Sequence, residues 1–305
     1  MTGRIVPVMD IGGTHVTGAL VDTVTRAVLP DCMVREGLDS NGTAEQIVVS
    51  IGRCASRLPR AAASDWTIAL PGPFDYPRGI GQFEGVGKFE SLRGVDLRAA
   101  LSALVPQARS FRFLNDADAF ALGEWWAGAA EGRRRAVGIT LGTGVGSSFL
   151  DDGRVVGDGA AVPPHGRAHL LSYEGLPLEE TVSRRAIRDR YAQVVNDRDG
   201  RCVDVHEIAA RARLRDGTAR SVLADAFAAL GSTLAPWLAA FEASVLVVGG
   251  SMAASWDLIV KPLSRGIDIA APGLLGHLEV TPARRLHDAA LIGAALANRA
   301  AGAAA

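Results

Sequence analysis

One pattern occurs twice in this chain and limits what it can fold into. Ile5 to Met9 is an apolar run that reads as a buried strand. It ends in Asp10, turns through Gly12-Gly13-Thr14 and resumes as apolar Val16 to Val21. Further along, Arg135 to Leu141 reads as a strand, Gly142-Thr143-Gly144 as a tight turn and Val145 to Leu150 as a second strand. Two strands joined by a glycine pair read as a β-hairpin. Two halves that open alike imply two related α/β domains flanking a cleft. Ligands in such folds sit beyond the carboxyl ends of the strands, where these turns converge.

The rest of each half fits that frame. After the first hairpin, strands are expected at Ala27–Arg35, Trp66–Leu70 and Phe111–Leu114, and helices at Thr43–Arg57 and Ala117–Gly128. After the second, a short strand at Arg154–Val156 precedes helices at about Leu178–Ala192, Val205–Ala212 and Ala219–Phe241. A buried strand, Val245–Val248, ends in Gly249-Gly250, and a last helix starts at Ala289. The expected domains are residues 1–118, completed by the C-terminal helix 289–305, and residues 119–288.

Composition excludes several classes. A formal net charge of −1 over 305 residues leaves no electrostatic footprint for nucleic acid or an anionic membrane. No apolar run is read as membrane-spanning, and Met1-Thr2-Gly3-Arg4 leads into a strand with no signal-peptide core, so a cytoplasmic protein is expected. Cys32, Cys54 and Cys202 are odd in number and widely spaced, which suits a reducing compartment and offers no CxxC metal pattern.

Several residues carry candidate chemistry. Asp10 places a carboxylate at a strand end, where it can hold a magnesium ion through water. Gly12, Gly13 and Thr14 present bare backbone N–H groups and a hydroxyl, to which phosphate oxygens can come close. Gly142, Thr143 and Gly144 form the matching loop of the second half, and neither loop is a Walker A sequence. Gly249 and Gly250 would let a flat ring such as adenine lie against the backbone. Asn115-Asp116 follows a strand and opens a helix; the pair can cap that helix. Asp116 can equally act as a general base on a hydroxyl during phosphoryl transfer. His169 and Glu179 flank a turn and, read blandly, are helix-start polarity.

With these residues laid out, the chain resembles the ROK family of sugar kinases and related repressors, within the actin-like (ribonuclease H-like) ATPase fold. Asp10-Ile-Gly-Gly-Thr14 resembles the first phosphate motif and Leu141-Gly-Thr-Gly-Val-Gly146 the second. Leu70-Pro-Gly-Pro73 resembles the loop beside the sugar, and Leu114-Asn-Asp-Ala-Asp-Ala119 the segment that carries the catalytic aspartate. Leu178-Glu179, with Ser183, Ala186 and Ile187, resembles the helix whose glutamate contacts the sugar; Val248-Gly-Gly250 resembles the adenosine motif. The resemblance implies an ATP-dependent hexose kinase acting on the 6-hydroxyl of glucose or a similar sugar. It implies Asp116 as base and Gly72, Pro73, Asn115, Asp116, His169 and Glu179 around the sugar. ATP with Mg2+ is the implied cofactor pair, and a homodimer is expected.

Two departures stand out. Most bacterial members have a CxCGxxGC zinc segment between the histidine and the glutamate, whereas Leu170 to Leu178 holds no cysteine. No zinc site is expected. The family also shows a glutamate shortly before the histidine, and Arg167 stands near that place. An amino-sugar kinase of the kanosamine 6-kinase type is one alternative, and a non-catalytic sugar-binding regulator is another. A repressor needs a DNA-binding region ahead of the first phosphate motif, for which Asp10 leaves no room.

Overall fold

The computed structural model describes residues 5–58, 65–196 and 203–303; Cys202 lies outside them. The chain divides into two compact units, Met1–Gly128 with His287–Ala305, and Ala129–Leu286.

In the first unit β1 (Ile5–Ile11), β2 (His15–Asp22) and β3 (Ala27–Gly37) form an antiparallel meander. The helix α1 (Ala44–Ser56) follows. Thr43 and Gln46 bond reciprocally at its start, which satisfies two of the N–H groups a helix leaves open there. β4 (Asp65–Leu70) runs parallel to β1. After it come the two-residue strands β5 (Phe74–Asp75) and β6 (Ile80–Gly81), then α2 (Leu97–Leu104). β7 (Ser110–Asn115) runs parallel to β4 and leads directly into α3 (Asp116–Ala127). The sheet order is β3-β2-β1-β4-β7.

The second unit repeats that order as β10-β9-β8-β13-β14. Its members are β8 (Arg135–Leu141), β9 (Val145–Asp151), β10 (Arg154–Val155), β13 (Val245–Gly249) and β14 (Glu279–Pro282). Between β10 and β13 lie a small hairpin of β11 (Ser172–Tyr173) and β12 (Leu176–Pro177), then α4 (Glu179–Val182), α5 (Arg184–Val194), α6 (Val205–Arg213) and α7 (Gly217–Ala240). α8 (Trp256–Ala270) joins β13 to β14. The final helix, α9 (Ala289–Ala303), belongs to the first unit.

Side-chain alternation explains the layers of the first unit. Met9 and Ile11 face a core built with Ile47, Ile51, Trp66, Ile68 and Leu101. Val6 and Val8 point the other way, to Trp126, Leu291 and Ile292. Burying both faces is the normal state of a sheet with parallel strands.

Three expectations change. α3 belongs with the first unit, so that unit extends to Gly128 rather than to 118. Gly123 and Gly293 account for this: a Cβ on either would overlap a carbonyl of the facing helix, Ala289 O and Ala119 O, so the two backbones touch. The single helix expected over Leu178–Ala192 is two helices, broken at Ser183, whose ψ of 159° is extended and whose hydroxyl caps α5. α7 has the length and apolar character of a membrane span, contrary to expectation. Its Val222, Leu223, Phe227, Leu230 and Leu234 are buried in the core of the second unit.

Candidate functional site

In the first unit the parallel register sets Asp10, Ala69 and Leu114 in one row across β1, β4 and β7. Asp10, the Pro71-Gly72-Pro73 turn and Asn115-Asp116 therefore stand at the same edge, at the carboxyl ends of three strands. The Gly12 N–H donates to His15 O (2.9 Å) and closes the first turn. Ser40 N–H donates to Gly13 O (3.2 Å) and Leu38 N–H to Thr14 O (3.0 Å), which pins the tip from β3's side. Among the described residues the N–H groups of Gly13 and Thr14 have no partner. A Cβ built on Gly12 or Gly13 would meet nothing nearer than 3.5 Å. Packing does not require glycine at either position.

Asn115 is the N-cap of α3. Its Oδ1 accepts the N–H groups of Ala117 (3.0 Å) and Asp118 (3.3 Å), and its Nδ2 donates to Tyr76 Oη (3.0 Å). Tyr76 in turn donates to Leu70 O (3.3 Å). The hydroxyl thus fastens the Asn115 amide to the end of β4, just before Gly72 and Pro73. Asp116 Oδ1 accepts the Ala117 N–H at 2.9 Å. Burial, and after it the Asp116 carboxylate, push the Asp10 carboxyl up to about 7. Two neighbouring carboxylates, one of them reluctant to ionise, are a donor set that a divalent cation would stabilise. Magnesium needs only one or two carboxylates besides water and phosphate oxygens. Among the described residues no group of three or more His, Cys, Asp or Glu side chains could hold a metal.

In the second unit the matching edge carries Gly142, Thr143, Gly144, Gly249 and Gly250. Thr143 is exposed at the tip of its hairpin. Gly142 N–H donates to Gly144 O (3.0 Å) and Arg184 N–H to Gly142 O (2.9 Å). Gly250, at φ 85°, lies so close to the Leu141 backbone that a Cβ would overlap it; here glycine serves the fold itself. Glu179 lies beside the hairpin, its Oε1 accepting the Val145 N–H at 3.0 Å. His169 sits on a short 3-10 turn, Ala168–Leu170, packed on β9. Ser147 anchors the approach to that turn: its hydroxyl donates to Gly166 O (2.7 Å) and accepts the Ala168 N–H (2.6 Å). Arg167 donates to Ser147 O at 2.9 Å. Leu178 N–H donates to Leu171 O at 2.7 Å, so the interval between His169 and Glu179 is closed by backbone bonds.

Tyr76, Ser147 and Arg184 were not singled out from the sequence. Ser147 carried the one available signal, a polar residue inside an apolar strand. The other two act through partners distant in the chain.

A meander followed by two parallel strands, formed twice and each with a glycine turn at its carboxyl edge, defines a protein of the actin-like ATPase fold. The ROK family model matches residues 7–300, and the chain belongs to the ROK family. It is 26% identical over 311 residues to a glucokinase of Thermotoga maritima, covering 94% of this chain and 95% of that one. The crystal structure of a ROK family glucokinase from Streptomyces griseus in complex with glucose and AMPPNP superposes with a TM-score of 0.77. It is 23% identical and covers 97% of this chain and 99% of that one. A ROK family transcriptional regulator superposes with a TM-score of 0.78 at 20% identity, over 98% of this chain and 78% of its own. At those identities the two structures establish the fold.

Proposed function

We propose that this protein transfers the γ-phosphoryl group of ATP to a sugar hydroxyl, the 6-hydroxyl of glucose or of a glucose-like hexose. The observation that carries the reading is the row at the edge of the first sheet, where Asp116 follows Asn115 at the end of β7 with Asp10 nearby. A sugar hydroxyl is a weak nucleophile. Asp116 accepts its proton as the phosphoryl group moves, while Asn115 and the Gly72-Pro73 turn orient the ring. The fixed Asn115 amide favours this role, because an oriented donor costs little to organise when substrate binds.

The open N–H groups of Gly13 and Thr14, and the Gly142–Gly144 hairpin, are suited to phosphate oxygens. Gly249 and Gly250 are assigned to the adenosine. Magnesium, held by Asp10 through water, would supply positive charge against the phosphates. His169 and Glu179 complete the sugar contacts in this reading. The Thermotoga maritima glucokinase, matched over 95% of its length, supports the sugar class. A cytoplasmic homodimer is part of the same proposal.

The test is a coupled ADP-release assay with glucose, mannose, N-acetylated and free amino sugars. Turnover of glucose above the others supports the reading. Turnover confined to an amino sugar selects the amino-sugar kinase. Tight sugar binding with no ADP release selects a regulator.

A further inference from the structure

Residues Glu179 to Arg184 hold the second glycine hairpin at both ends. The Glu179 carboxylate takes the Val145 N–H at 3.0 Å on one side, and the Arg184 N–H reaches Gly142 O at 2.9 Å on the other. The break at Ser183 makes this double grip possible. In a continuous helix the Arg184 N–H would bond back to the carbonyl of residue 180; the extended Ser183 turns it outward to Gly142. Gly144 completes the fit, since any Cβ there would overlap Glu179 Oε1.

We infer that Glu179 is a positioning residue for the Gly142–Gly144 hairpin, shaping it for nucleotide phosphates even when no sugar is bound. The same carboxylate is a sugar contact in the function proposed above. On that reading, on which this second half of the inference rests, Glu179 makes sugar binding and hairpin geometry one equilibrium. A sugar hydroxyl that orders the carboxylate also orders the turn, and by linkage the nucleotide strengthens sugar binding by the same factor. A glutamate that only touches sugar has no such effect on the sugar-free protein.

The experiment measures Mg·AMPPNP affinity by calorimetry in the absence of sugar for the wild-type protein, Glu179→Gln and Glu179→Ala. Hydrogen exchange at Val145 is followed in parallel. Glu179→Gln keeps an acceptor oxygen for Val145 and should bind within about twofold of wild type. Glu179→Ala leaves that N–H unpaired and should lose about tenfold, the scale of one backbone donor left without an acceptor. Val145 should exchange faster in the alanine variant alone. The inference is overturned if Glu179→Ala binds AMPPNP as tightly as wild type or more tightly, or if Glu179→Gln is as weak as Glu179→Ala. Failure of the kinase reading is a separate result: the wild-type protein then binds no AMPPNP, and Val145 exchange alone decides the role of Glu179.

Discussion

Asn115 and Tyr76 are joined by a hydrogen bond of 3.0 Å from the amide Nδ2 to the phenolic oxygen. The amide cannot be reversed, because its Oδ1 is already committed to the first N–H groups of α3. Tyr76→Phe removes this tether and leaves the helix cap in place. The KM for sugar should rise about fivefold, the worth of one ordinary hydrogen bond, with kcat nearly unchanged. An unaltered KM would show that Asn115 needs no such support.

Asp116→Asn preserves the shape of the site and removes the base. Sugar affinity, measured by calorimetry, should stay within a few-fold of wild type, while turnover falls by about two to four orders of magnitude. Near-normal turnover in this variant would remove Asp116 from the mechanism.

Glycine is used differently in two parts of the first unit. Gly13→Ala introduces a methyl group into ordinary van der Waals space, 3.5 Å from Ser40 Oγ. Its stability should lie within about 0.5 kcal/mol of wild type, while the KM for ATP rises. Gly293→Ala drives a methyl group into Ala119 O and should cost roughly 1–3 kcal/mol or more, seen as a lower Tm. Equal destabilisation by both variants would mean that Gly13 serves the fold after all.

The Asp10 carboxyl is raised from its ordinary value of 3.8 to about 7. Between those values the folded protein holds a proton that the unfolded chain has released. The contribution of this group therefore falls as pH rises from about 4 to about 7 and stays low above that. Asp10→Asn removes the dependence. In metal-free buffer the Tm of the variant, minus that of wild type, should be near zero at pH 4 and become positive towards pH 7. A flat difference would contradict the shift.

Metal removal separates the two metals that the sequence brings into question. Excess EDTA should abolish phosphoryl transfer, and magnesium alone should restore it. Full activity in EDTA, or stoichiometric zinc in active protein by elemental analysis, would contradict these expectations.

The turns and the helix cap of the candidate site were legible in the sequence because their signals are local. A strand ending in Ile11 or Leu141 and followed by glycine announces a turn wherever the segment lies, and Asn115 ahead of an α-helix is a cap by its own short-range bonds. The repetition of that pattern was enough to anticipate two related α/β domains, and the structure adds that their sheets share one strand order. Tertiary structure decided what depends on groups distant in the chain. Nothing near Tyr76 announces Asn115, and nothing near Val145 announces the Glu179 carboxylate. The helical periodicity after Leu178 hides the break at Ser183, because the Gly142 carbonyl that receives the Arg184 N–H lies more than a whole strand away in sequence. The membership of α3 was hidden for the same reason: its closest neighbour is α9, and only folding brings Gly123 and Gly293 against the facing backbones. Propensity and periodicity report each residue's own backbone, whereas these features report the partner that folding delivers to it.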